Sequence, residues 1–141
     1  MVKPESLRCG ECGHRGLTLK NIERNYQAPW ADFPKLRLSV PLELPCCPQC
    51  GNVIIPGDAV SRLNGAMEES AKKLVQGLID EVQTLCGLKG RELARLLGVT
   101  PEHLSTVVHG RKRPSFQMAQ TLFIFRSHPE IVPELRDHWR L

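Results

Sequence analysis

Long apolar runs are missing from this 141-residue sequence: none approaches the roughly 20 residues that a membrane span needs. The opening stretch, Met1-Val2-Lys3-Pro4-Glu5, also lacks the apolar core of a signal peptide, so the chain is expected to stay in the cytoplasm, with no membrane partner. Enzyme signatures are absent as well. There is no nucleophile elbow, no phosphate-cradling glycine loop and no evident carboxylate pair, and the histidines at 14, 103, 109, 128 and 138 do not follow a metal-ligand spacing. The expectation is a protein that is not an enzyme. Beyond residue 56, cysteine and proline are scarce: one of six cysteines and four of eleven prolines lie there.

What is present divides along the chain. Hydrophobic residues make up 41% and charged residues 24%, which are globular values, and the length suits one average domain or two small ones. Residues 58–87 carry 3 basic and 5 acidic groups, whereas 88–141 carry 9 and 5. A Cys- and Pro-rich front at 1–57, an acidic helical connector at 58–86 and a basic module at 87–141 follow from this. A front module of under 60 residues buries too little apolar area to fold without a staple.

The staple is legible in two Cys-x-x-Cys-Gly turns, Cys9-Gly10-Glu11-Cys12-Gly13 and Cys47-Pro48-Gln49-Cys50-Gly51. Each turn sets two thiolates on one side, and the pair completes a tetrahedral four-sulfur zinc site. Glycine after each turn fits a backbone that needs positive φ and points its amides at sulfur. Disulfides are the alternative use of these thiols, which a cytoplasmic setting disfavours. Cys46 and His14 are competing ligands by proximity; the duplicated turn favours Cys9, Cys12, Cys47 and Cys50. Four thiolates leave no open position, so one structural Zn2+ is expected.

Between the turns, Leu17–Ile22 and, more cleanly, Leu36–Leu44 alternate apolar and polar residues, predicting strands of a small antiparallel sheet. Tyr26, Trp30 and Phe33 form the aromatic cluster of this half; they either pack over the thin sheet or offer a partner-binding surface. After Pro56-Gly57, Asp58 is a candidate N-cap and Asn64-Gly65 a candidate break in the helical connector. Its stripe of Leu74, Val75, Leu78, Ile79, Val82, Leu85 and Cys86 has the spacing of a core-facing helix, which makes Cys86 an apolar core residue.

In the basic module, Leu93, Ala94 and Leu97 make a short helix face, Gly98 suits a left-handed helix end, Thr100 is an N-cap and Pro101 a first helical residue. Helix, three-residue turn with glycine, then capped helix is a helix-turn-helix pattern. The second helix is expected to bury Leu104, Val107 and Val108 and to present Glu102, His103, Ser105, Thr106 and His109 to base edges. The loop Arg111-Lys112-Arg113 would lie on the phosphate backbone, with Lys89, Arg91 and Thr100 adding contacts around the first helix and the turn. Leu122, Phe123, Phe125 and Trp139 are the expected dimerisation residues, since such modules bind palindromes as two-fold dimers. The fold class is thus α+β: a zinc-stapled antiparallel β module followed by an all-α helix-turn-helix domain.

The pattern Leu-x-x-x-Glu-Leu-Ala-x-x-Leu-Gly-Val-Thr-x-x-x-Leu-Ser-x-x-x-x-Gly-x-x-x-Pro over residues 88–114 resembles the XRE/Cro-repressor family. Together with the two cysteine turns and His128-Pro129-Glu130-Ile131-Val132-Pro133-Glu134-Leu135, it is similar to YgiT/MqsA-type zinc-finger and helix-turn-helix regulators. The resemblance implies an antitoxin-like repressor: a zinc-bearing N-terminal domain that can embrace a ribonuclease toxin, and a homodimeric C-terminal domain that binds a palindromic operator in double-stranded DNA and represses its own operon. Gly90, Glu102, Thr106 and Val108 depart from the family pattern: Gly90 stands where the family often has a phosphate-reaching residue, and Glu102 and Thr106 imply a different base preference.

Overall fold

The computed structural model describes residues 3–141; Met1 and Val2, part of the N-terminal stretch read above, lie outside them. The chain forms two compact units. One holds the residues up to Trp30 together with Pro34–Ser70, and the other holds Ala31–Phe33 with Ala71–Leu141.

The first unit is built on short strands: β1 (Thr18–Asn21), β2 (Gln27–Trp30), β3 (Phe33–Arg37) and β4 (Glu43–Cys46). β1 pairs antiparallel with β4, with Thr18 opposite Cys46 and Asn21 opposite Glu43, and β2 pairs with β3 in a second two-stranded sheet. Such thin sheets cannot enclose a core. Leu17 and Ile22, which bracket β1, are buried with Leu36, Leu38 and Leu44, while every residue of β1 itself is exposed.

The long alternation Leu36–Leu44 is not one strand. β3 ends at Arg37 and β4 begins at Glu43, because the intervening amides are committed elsewhere. Leu38 donates to the Tyr26 carbonyl, Ser39 to Ser70 Oγ and Leu42 to Asn21 Oδ1, while Pro41 has no N–H to give. Apolar alternation survives this bend, which is why the sequence reads as continuous.

α1 (Val60–Cys86) is a single helix of 27 residues, preceded by a 3-10 turn at Gly57–Ala59. Asp58 lies inside that turn and is not a helix cap. Asn64-Gly65 does not break the helix either: the Asn64 side-chain oxygen accepts the Trp30 indole N–H at 2.7 Å rather than competing for the local backbone. The division between units falls within α1, so the connector does not stand apart. Met67 and Ser70 are buried in the first unit, Ser70 Oγ accepting from Ser39 N and donating to the Ala66 carbonyl.

In the second unit the stripe Val75, Leu78, Ile79 and Val82 of α1 is buried along with residues of α2 (Gly90–Leu97), α3 (Pro101–Val108), α4 (Phe116–Ser127) and α5 (Ile131–Trp139). Leu74 and Leu85 of the predicted stripe are exposed, and Cys86 is only half-buried. Local chemistry fixes the ends of α2 and the start of α3. The Lys89 amide donates to Glu92 at 2.9 Å; Gly98, at φ 70°, closes α2 while Val99 N–H reaches the Ala94 carbonyl at 3.0 Å. Thr100 Oγ1 then accepts His103 N–H at 3.0 Å, and Pro101 takes the first position of α3. Val108, expected to be buried, is exposed on the last turn of α3, where its carbonyl accepts from Gln76 Nε2 at 3.0 Å. Among the described residues, no helix is long and apolar enough to cross a membrane.

Candidate metal centre and candidate nucleic-acid interface

The two cysteine turns fold as near copies. Gly13 N–H reaches the Cys9 carbonyl and Gly51 N–H the Cys47 carbonyl, each at 2.9 Å, and both glycines sit in the left-handed region, at φ 76° and 78°. Amides of Cys9 and Cys47 donate to the carbonyls of His14 and Asn52, again at 2.9 Å. Two such turns facing one another bring Cys9, Cys12, Cys47 and Cys50 together, with all four sulfurs within 4.8 Å of one another. Cys9–Cys50 and Cys12–Cys47 sulfurs are 3.5 Å apart. A tetrahedral ion with metal–sulfur bonds of about 2.3 Å requires sulfurs about 3.8 Å apart, so the cluster is compatible with one metal ion. All six cysteines are free thiols.

Backbone amides tune these sulfurs. The Cys12 and Glu11 amides, working against desolvation, hold the Cys9 thiol down at about 6, and those of Cys50 and Gln49 lower Cys47 in the same way. Cys50 is pushed up to about 12: the Asn52 amide lowers it, but the Cys9 thiol, desolvation and the other two thiols outweigh that pull. Cys12 is likewise raised, the His14 amide being outweighed by desolvation and by the Cys47 and Cys9 thiols. Each turn therefore contributes one sulfur that ionises readily and one that resists, and a bound cation removes that resistance. Four thiolates saturate a tetrahedral ion, so such a site serves structure.

Neither competing residue joins the cluster. Cys46 is buried next to it, with its thiol 3.5 Å from the Leu44 carbonyl, and His14 supplies backbone groups only. Asn52 is the neighbour that sequence reading missed, its Nδ2 lying 4.0 Å from Cys9 Sγ. The signal was available: Asn52 occupies in the second turn the place of His14 in the first.

On the helical unit, Glu102, Ser105 and His109 are exposed along one line of α3, three and four residues apart. Ser105 Oγ lies 3.3 Å from His109 Nδ1, which is 2.8 Å from the Ser105 carbonyl. His103 is half-buried, with Nδ1 3.5 Å from Lys112 Nζ. The hydroxyls of Thr100 and Thr106 are committed to backbone: Thr100 caps α3, and Thr106 donates to the His103 carbonyl at 2.6 Å. Arg111, Lys112 and Arg113 are exposed in the loop after α3, and Lys89 and Arg91 are exposed at the start of α2. Arg91, Ser105 and His109 meet at one cleft of about 330 Å³, floored by Ile79 and Leu104.

Two expected surfaces are corrected. Leu122 and Phe125 are buried in the helical unit, leaving Phe123 (52% exposed), Ile124 and Trp139 (65% exposed) as the accessible apolar residues. Four successive apolar residues turn through about 100° each, so they cannot share one outward face. The aromatic cluster also separates: Tyr26 and Trp30 are half-buried, whereas Phe33 is buried with its ring edge-on to Phe116, 5.7 Å between centroids. Phe33 is therefore not available as a contact surface. No family model and no curated protein matches this sequence.

Proposed function

We propose that the protein is a homodimeric, sequence-specific DNA-binding repressor whose first unit is stapled by a structural zinc ion. The observation that carries this reading is the pair of short helices joined through left-handed Gly98 and capped by Thr100, with a polar outer line on α3 and three cations in the loop that follows. On this reading α2 and α3 are a helix-turn-helix; α3 enters the major groove, Ser105, His109 and Glu102 meet base edges, and Arg111 and Lys112 neutralise phosphates. Phe123, Ile124 and Trp139 supply apolar area for the two-fold contact, which places two copies of α3 on a palindrome. Zinc is the ion that a closed four-thiolate tetrahedron selects. The protein performs no catalysis of its own.

The resemblance to YgiT/MqsA-type regulators extends this proposal to an antitoxin that autoregulates its operon and binds a ribonuclease-type toxin in the cytoplasm. Selection of bound duplexes from a randomised pool tests the DNA reading: enrichment of a palindrome whose half-site preference changes in Ser105→Ala supports it, and failure to enrich any sequence refutes it. Co-purification with the product of an adjacent small gene tests the toxin partner.

A further inference from the structure

We propose that Asp32 is an autoinhibitory anion, holding at the N-terminus of α4 the position that a DNA phosphate would take; this inference rests on the DNA-binding reading above. The Asp32 carboxylate accepts the Phe116 N–H at 2.8 Å, from 84 residues earlier in the chain. Phe116 is the first residue of a 12-residue helix, and the exposed loop Arg111-Lys112-Arg113 ends three residues before it. An amide at a helix start beside three cations is what an incoming phosphate seeks. In this chain a carboxylate already occupies it.

The carboxylate is fixed there by its neighbours. Phe33, 3% exposed, packs its ring edge-on against Phe116, and Ala31, at φ 50°, forms with Asp32 the two-residue turn between β2 and β3 that carries the carboxylate. Helix capping alone does not require this arrangement. Ser115 Oγ already accepts Met118 N–H at 3.1 Å, so the helix start has a local cap besides Asp32. A phosphate reaching the loop must either displace Asp32 or bear its repulsion, so the residue lowers affinity for DNA of any sequence and makes tight binding depend on additional base contacts.

The test compares Asp32→Asn and Asp32→Ser, both of which keep an uncharged acceptor, with Asp137→Asn, a charge-matched control on exposed α5. Binding to a mixed-sequence duplex of about 30 base pairs is followed by fluorescence anisotropy at about 50 and 200 mM salt. Both Asp32 variants are expected to bind about tenfold more tightly at the lower salt, with a dependence on log salt steeper by about one. The control should shift affinity by less than about threefold and leave the slope unchanged. Asp32 variants that bind no more tightly than the control, or more weakly than the wild type, overturn the proposal and make Asp32 a cap. If wild type and variants all fail to bind at the lower salt, the DNA-binding reading itself has failed and the inference falls with it.

Discussion

The first unit and the second are of similar size, yet they are held together in opposite ways. The first has strands of four or five residues, sheets of two strands, and an apolar cluster of Cys9, Leu17 and Cys47 whose two cysteines belong to the candidate metal centre. That cluster shares only Cys9 and Cys47 with the candidate ligand set, and Ile22, Leu36, Leu38, Leu44 and Met67 are further apolar residues buried in this unit. The second unit spreads its buried residues over five helical segments, and α2, α3 and α4 each carry a side-chain cap. The lesson concerns failure: loss of an ion from the cysteine cluster is expected to dismantle the first unit, whereas the second is expected to yield in small increments.

The largest effect expected is therefore metal removal. Chelation, or Cys47→Ser, should abolish the β-rich fold of the first unit while the helical circular-dichroism signal of α2–α5 persists, because structural zinc sites of this kind contribute on the order of 10 kcal/mol to folding. A cooperative loss of both signals together would break the contrast. Next comes Leu122→Ala in the second unit, expected to cost about 3 kcal/mol in chemical denaturation without altering metal content. Thr100→Ala should cost about 1 kcal/mol by leaving His103 N–H without its acceptor. Ala31→Gly should raise stability by a few tenths to about 1 kcal/mol, since glycine takes φ 50° without steric cost.

Smallest is a pH effect. Glu92 has a lowered pKa in the folded protein, first through the Lys89 amide and then through Arg136, whose guanidinium lies 2.6 Å away. A depressed carboxylate stabilises the fold above its unfolded value, near 4.5, and loses that contribution as pH falls through the folded value. Glu92→Gln should flatten the acid limb of the helical unit's melting curve and leave its stability near pH 7 only slightly lower. An unchanged acid limb would show that ionised Glu92, with its Lys89 amide and Arg136 partners, contributes nothing there.

How much of this was legible in the sequence follows from the range of each interaction. The four clustered sulfurs were legible because the motif is local and duplicated, and the helix ends at Gly98 and Thr100 because each depends on residues within three or four positions. The break between β3 and β4 was not, since it depends on Asn21 and Ser70 capturing amides from distant chain segments. The same holds for Phe33 and Asp32, whose partner Phe116 lies more than 80 residues away. Leu122 and Phe125 were misread for a different reason: an all-round apolar stretch has no periodicity from which to assign a face.

The central claim, that the second unit is a DNA reader anchored by its basic loop, is tested most directly by the salt dependence of DNA binding in the wild type and in Arg111→Ala and Lys112→Ala. Wild-type affinity should fall linearly in log salt, and each substitution should weaken binding to all sequences alike while reducing the slope by about one. Absence of detectable binding at low salt, or substitutions that leave the slope unchanged, would contradict it.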